Sequence, residues 1–375
     1  MSVLHSFRWR YSGQSDPRPR PSRRPLLFML GLGALYLWVT WNIHREKQGR
    51  DLARVKQDFA MMGTLVEITV VAPKARDPLG LVEGARKEIA RVEDLLSSYK
   101  KDSIVSRLND LPAGASLRLK PEEADVLGVF ETARTISDWS GGAFDITFAS
   151  VGNLWSFDPG NPRIPTQEEI AKSLPRIGYR NVVVDRQAAT ITLAKEGTRV
   201  GLGAIAKGWA VDRAVEYLKK KGATGALVNA GGDLRAFGKK EDGSAWTIEI
   251  QHPREKSRHI PEEGFALEMD IAVVTSGDYE RAVVVDGKRY HHILDPRTGM
   301  PAWGLMSVTV WAPSAMWADG LATAFFVLGP EKGLALATRL KPVEAAFITE
   351  EGKILCTPGV PDSIRNARLS QGGLP

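Results

Sequence analysis

The segment His291 to Phe325, HHILDPRTGMPAWGLMSVTVWAPSAMWADGLATAF, concentrates side chains that can do chemistry. His291 and His292 are two of only six histidines in the chain. Asp295-Pro296-Arg297-Thr298-Gly299 reads as a tight turn, because Pro presets φ and Gly is free to take a positive one. Ser307 to Ala312 has the composition of a buried strand. Ser314 is placed to cap a helix carrying Asp319 and Thr323 four residues apart, on one face. Their neighbours Ala318, Leu321, Ala322, Ala324, Phe325 and Phe326 are apolar, and a carboxylate among them must be neutralised, paired or bound to a metal. Asp and Thr are hard oxygen donors, which suit Mg²⁺ better than zinc. A second reading of the same residues makes Asp319 the cap of a helix starting at Gly320, with Thr323 bonding back to its own turn.

A second loaded stretch is Arg199 to Gly208, RVGLGAIAKG, which opens an amphipathic helix with Ala210, Val211, Ala214, Val215 and Leu218 on its buried side and Gly222 after its end. A Gly-rich turn at a helix start offers free N–H groups and the positive end of the helix dipole, which suits phosphate, and Lys207 adds a cation. The plain alternative is a tight turn with Lys207 in water. Gly201 to Ala206 also fits G-x-G-x-x-A, but no acidic residue follows at the end of the next strand about 20 positions on, so a dinucleotide-binding unit is excluded. The Walker A pattern fails as well, since Gly208 follows Lys207 rather than preceding it.

These segments need a scaffold. The chain has 375 residues, 43% hydrophobic and 25% charged, enough for one large or two ordinary domains with a sizeable core. The net charge of +6 is largely a property of the N-terminal tail, which holds Arg8, Arg10, Arg18, Arg20, Arg23 and Arg24, and no aromatic-interleaved basic patch follows, so nucleic acid is not an expected partner. With Cys356 as the only cysteine, no intramolecular disulfide and no Cys-based metal centre can form. Residues 1–25 read as a disordered basic tail. Leu26 to Ile43 is an uncharged apolar run of about the minimum length that spans a bilayer, with Trp38 and Trp41 near one end. No small-residue cleavage site follows it, so it reads as an uncleaved signal anchor, with a linker over 44–57.

Thr64 to Val71 has the β-branched composition of a strand, and Leu79 to Tyr99 repeats apolar residues at helical spacing. Pro121 opens a second helix ending near Gly141-Gly142, Thr166 to Glu169 forms a capping box, and Asn181–Asp185 with Thr190–Ala194 reads as a hairpin. Helices and strands mix without a βαβ rhythm, which predicts an α+β fold rather than a doubly wound sheet.

Taken in order, the motifs resemble those of the ApbE-type flavin transferases. They are Met62-Gly63-Thr64; Ser98-Tyr99 with Ser103-Ile104 and Leu108-Asn109; Gly142 to Thr147; Ala204 to Asp212; Gly231-Gly232-Asp233-Leu234; Thr275 to Tyr279; His292 with Asp295 to Gly299; and Ala318 to Ala324. The resemblance implies an ApbE-like mixed α/β catalytic domain over 58–360, behind the transmembrane anchor of residues 26–43 and followed by a tail over 361–375. It implies transfer of the FMN half of FAD, with Mg²⁺, onto a Ser or Thr hydroxyl of a target protein, with AMP as the leaving group. Metal ligands would be Asp319, Thr323 and the backbone carbonyl of Ala204. Contacts to the flavin and pyrophosphate would come from Met62, Tyr99, Ala143, Phe144, Asp145, Lys207 and Ile293, with Tyr99 or Phe144 able to stack on an aromatic ring. His292 would stand near the transferred phosphate and take the hydroxyl proton. The expected partners are FAD and a membrane-associated redox protein. The expected place is the inner membrane, single-pass, with the catalytic domain in the periplasm. Two departures stand out: the lipobox Cys of the family's lipoprotein members is missing, and Gly203 sits where the family has a small polar residue. Two other activities fit many of the same residues, an Mg²⁺-dependent FAD pyrophosphatase and a flavin-binding protein without catalysis.

Overall fold

The structure, a computed structural model, describes Trp38, residues 51–267 and residues 270–367. Trp38 apart, the expected anchor lies outside the described residues. Among the described residues no helix is long and apolar enough to cross a membrane.

Eight strands form the central sheet among the described residues: β1 (Leu52–Met61), β2 (Thr64–Pro73), β3 (Gly225–Ala230), β4 (Asp233–Gly238), β5 (Ile271–Gly277), β6 (Leu305–Ala312), β7 (Glu344–Thr349) and β8 (Ile354–Cys356). They lie side by side in chain order, and every neighbouring pair is antiparallel. This is the α+β arrangement that the missing βαβ rhythm predicts. β1 and β2 join through Met62 and Gly63 at φ of 52° and 71°, the two positive values of the hairpin turn whose twist matches its strands. The expected linker over 44–57 needs correction, since Leu52 to Gln57 already belong to β1. Arg54, Lys56 and Asp58 face outward on that edge strand, and this polar half is what gives the segment its linker-like composition. The expected C-terminal tail likewise includes a helical turn, Asp362–Arg365, with Ile364 buried.

Four long helices matter for the site: α1 (Pro78–Leu96), α2 (Val126–Trp139), α3 (Ala206–Lys220) and α4 (Ala315–Arg339), the last broken at Gly329, where φ is 79° ahead of Pro330. Helix α1 ends three residues before Tyr99, and α2 starts after a separate 3-10 turn at Pro121–Glu123.

Strand alternation feeds two cores, since successive side chains point to opposite faces. Val66, Ile68, Val70, Ala272, Val274, Val308 and Val310 join the large cluster under the helices. Val71, Leu234, Val273 and Trp311 face the other way, onto the hairpin Trp246–Gln251/His259–Leu267. The site lies on the helical side, where α3 and α4 meet.

Candidate functional site

Each of the two helix starts is closed by a carboxylate from the other helix. Asp212, in the second turn of α3, accepts hydrogen bonds from the backbone N–H groups of Ala315 and Met316, both at 2.9 Å, and from Ser314 Oγ at 2.6 Å. Arg235 Nη1 donates to the same carboxylate at 2.7 Å. In return Asp319 Oδ2 accepts the N–H of Gly208 at 3.0 Å. Gly208 is the third residue of α3, so its N–H is one of the first-turn donors that the helix itself leaves without an acceptor. Asp319 therefore closes the start of α3 from outside the helix. The approach depends on glycine, because a Cβ at Gly208 would stand 2.2 Å from Ala315 O and 2.8 Å from Asp319 Cβ. The reading of Asp319 as the cap of its own helix is therefore corrected. Ser314 caps α4, its Oγ accepting from Trp317 N at 3.4 Å, and Asp319 sits inside the helix as an acceptor for a neighbouring one.

Asp319 is 2% exposed, as is Asp233, the first residue of β4. Lys207 Nζ donates to Asp233 Oδ2 at 2.5 Å and lies 3.8 Å from Asp319 Oδ1. Burial would lower the Lys207 pKa, but the two carboxylates outweigh it and hold the ammonium above its ordinary value. Burial, followed by the charge of Asp319, pushes Asp233 well above the usual carboxylate range. Two buried carboxyl groups thus flank one ammonium, and a further cation would favour the ionised form of both. Thr323 faces the same space, with Oγ1 3.4 Å from Ser276 Oγ on β5. Among the described residues no three His, Cys, Asp or Glu side chains form a metal cage. The available side-chain donors are one carboxylate oxygen and hydroxyls, a hard-oxygen set suited to a cation that shares its shell with phosphates.

The two histidines separate cleanly. His291 ends a hairpin, Ala282–Val285/Lys288–His291, and both its ring nitrogens are engaged: Nε2 with Ala302 O at 2.8 Å, and Nδ1 as acceptor of the Ile293 N–H at 3.3 Å. His292 continues the ladder through its own N–H to Arg281 O at 3.1 Å. Its Nδ1 is buried and has no partner. Burial, then the nearby His291, Arg281 and Lys207, push its pKa down to about 3, so the ring is neutral near pH 7. The unpartnered nitrogen is neutral and open to a ligand, and an anionic phosphate bound beside it would raise its pKa and with it its capacity to accept a proton.

The other expected contacts divide. Met62 occupies the β1–β2 turn, half-buried against the core. Tyr99 is 88% exposed, a free ring at the surface. Ala143 and Ile293 are buried. The Phe144 ring lies in the core, close to Gly320 of α4, which corrects the expectation that it stacks on a ligand. Asp145 is committed to the fold: its carboxylate accepts from Thr147 N at 2.7 Å, Thr147 Oγ1 at 2.6 Å and Tyr179 N at 2.7 Å. Asp212, Asp233 and Ser276 stand inside the recognised motifs, but their types alone assign them no role. A cavity of about 330 Å³ beside α2, lined by Phe130, Arg134, Tyr179 and Val182 among others, is bordered by none of the expected site residues.

Comparison with known proteins agrees with this arrangement. The ApbE family model matches residues 62–347. A protein of Vibrio cholerae named FAD:protein FMN transferase is 35% identical over 298 residues, covering 78% of this chain and 86% of its own. One of Escherichia coli K12 with the same name is 33% identical over 299 residues, covering 78% and 83%. The crystal structure of the ApbE protein of Thermotoga maritima superposes with a TM-score of 0.73 at 34% identity, over 82% of this chain and 97% of that one. For the flavin transferase ApbE of Vibrio cholerae the TM-score is 0.70 at 31% identity, over 84% and 99%. The chain belongs to the ApbE family.

Proposed function

We propose that this protein transfers the FMN moiety of FAD onto a Ser or Thr hydroxyl of a target protein, with release of AMP. The observation that carries the reading is the unpartnered Nδ1 of His292 close to the buried Lys207–Asp233–Asp319 group, in a chain similar along most of its length to FAD:protein FMN transferases. The target's hydroxyl oxygen forms a bond to the phosphorus that carries riboflavin. The P–O bond to the adenylate breaks, and AMP leaves with the bridging oxygen. Such a transfer needs in-line positioning and charge neutralisation more than covalent help. His292 Nδ1 takes the hydroxyl proton. Lys207 presents its ammonium to the pyrophosphate at the start of α3, where the helix dipole also favours negative charge. Asp319, Thr323 and the Ala204 carbonyl would hold Mg²⁺, which when bound supplies positive charge to the phosphate oxygens. Tyr99, with its ring free, is suited to cover an exposed aromatic face of the ligand.

The domain order belongs to the same proposal: basic tail, anchor at 26–43, then the catalytic domain in the periplasm, facing a membrane-associated redox protein. Its support is the apolar run and the Arg-rich leader of the sequence. The test is co-expression with candidate membrane redox proteins, followed by peptide mass spectrometry. The expected result is a Ser or Thr carrying the mass of FMN in a phosphoester. Release of free FMN and AMP with no protein acceptor labelled would sink the transferase reading in favour of a pyrophosphatase.

A further inference from the structure

Asp233 touches the centre of the site and takes no part in the transfer chemistry above. Its position is tightly set. It follows the Gly231-Gly232 turn, in which Gly231 has φ of 63° and a Cβ would lie 2.3 Å from Thr64 Oγ1 on β2. The turn is pressed onto its neighbour, so the carboxylate is delivered from a fixed platform. Opposite it, the Lys207 ammonium ends a flexible stem with two carboxylates close by and Glu280 farther off. The ammonium lies 2.5 Å from Asp233 Oδ2 and 3.8 Å from Asp319 Oδ1.

We propose that Asp233 is a positioning residue that holds Lys207 away from Asp319 and so keeps Asp319 Oδ1 open to a divalent cation. The inference rests on the reading of Asp319 as a cation ligand. Asp319 Oδ2 is already tied to the Gly208 N–H, so Oδ1 is the oxygen with coordinating capacity to spare. Without the charge of Asp233, Asp319 at 3.8 Å is the nearest carboxylate left to the ammonium, ahead of the more distant Glu280. The ammonium would close onto Oδ1 as a charge-assisted hydrogen bond of about 2.7–2.9 Å. A cation arriving then meets an occupied oxygen and a like charge beside it. With Asp233 present the ammonium is drawn to Asp233 Oδ2 at 2.5 Å and stays 3.8 Å from Asp319 Oδ1. Asp233 thereby acts on the cation through Lys207, without ligating it.

The test is Mn²⁺ binding to the full chain, without FAD, measured from the electron paramagnetic resonance of free Mn²⁺. Asp233→Asn is expected to weaken binding about 10- to 100-fold, the range for removing a residue that orients a metal ligand. Adding Lys207→Met to Asp233→Asn removes the ammonium that would collapse, and is expected to restore wild-type affinity. The single variant keeps one ammonium against one carboxylate, Lys207 with Asp319, and is the one expected to fold well, so it decides the matter even if the double variant does not fold. Wild-type affinity in the single variant overturns the proposal. So does a double variant that still binds poorly, because Asp233 would then be a ligand itself or a purely structural residue. Mn²⁺ binding that survives Asp319→Ala, or is missing from the wild type, fails a different step: it removes Asp319 as the cation ligand, and the role of Asp233 with it.

Discussion

Gly208→Ala is the most revealing small change in this protein. In a helix interior the substitution normally stabilises by roughly 0.5–1 kcal/mol, because alanine loses less backbone freedom on folding. Here the new methyl would stand 2.2 Å from the carbonyl oxygen of Ala315, 2.5 Å from its carbon and 2.8 Å from Asp319 Cβ. Two of those atoms are backbone at the first residue of α4, so no rotamer change relieves the clash and the helices must part. Overpacking of this kind costs about 1–3 kcal/mol. Separation also stretches the Gly208 N–H bond to Asp319 Oδ2, a charge-assisted bond worth about 1.5–3 kcal/mol. Against the propensity gain, the net expectation is a loss of about 2–5 kcal/mol, together with a fall in transfer rate as Asp319 leaves its place. Urea unfolding reads the first and single-turnover transfer from FAD reads the second. A Gly208→Ala protein as stable as the wild type, turning over at its rate, would refute the close contact of α3 and α4 and the site built on it.

Three further outcomes follow. Asp319→Asn keeps an acceptor for the Gly208 N–H but removes the charge, so calorimetric titration should show Mg²⁺ binding lost while thermal unfolding moves far less than in Asp319→Ala. His292→Asn should lower the transfer rate by about 10²–10⁴-fold with FAD affinity retained, whereas His291→Asn should chiefly lower stability, since His291 is hydrogen-bonded through both ring nitrogens. Because folding pushes the His292 pKa down from 6.5 to about 3, the unfolded chain binds more protons in that window; the stability this ring contributes is complete above about pH 6.5, falls as pH drops toward 3, and in His292→Asn this part of the acid dependence should vanish from unfolding curves.

The sequence is most legible where one segment carries its own geometry. Asp319 and Thr323 share a helix face by spacing alone, Ser314 reads as a cap, and Thr166 with Glu169 reads as a capping box; all three local features are present. What escapes such reading is decided across the sheet. Asp233 lies 26 residues beyond its partner Lys207, on a strand rather than on α3, and the pairing of β3 with β4 across a Gly-Gly turn helps bring the two together. Asp212 reads as one polar residue among apolar ones on α3, until the start of α4 is seen to rest on it. Phe144 and Tyr99 are both aromatic residues in recognised motifs, yet one ring is 2% exposed and the other 88%, a difference set by how the turns around them pack. Strand β1 is hidden because an edge strand keeps one polar face and looks like a linker.

The exchange of caps between α3 and α4 explains how a buried carboxylate can be held for a ligand without first being consumed by the fold. A helix start presents unpaired N–H groups and positive charge, and a carboxylate placed there is both stabilised and oriented. Asp212 spends both oxygens in this way, on Ala315 N, Met316 N, Ser314 Oγ and Arg235, and is wholly structural. Asp319 spends only Oδ2, on the single N–H of Gly208, and that bond fixes the plane of the carboxyl so that Oδ1 turns toward Lys207 and Asp233. The Gly208 N–H is a first-turn donor with no acceptor inside α3, and this bond satisfies it. One hydrogen bond therefore closes the start of α3, where the dipole favours a phosphate, and still leaves one carboxylate oxygen free. Cation and anion can then be received side by side, and the small residue at position 208 is what lets the helices come close enough to do it.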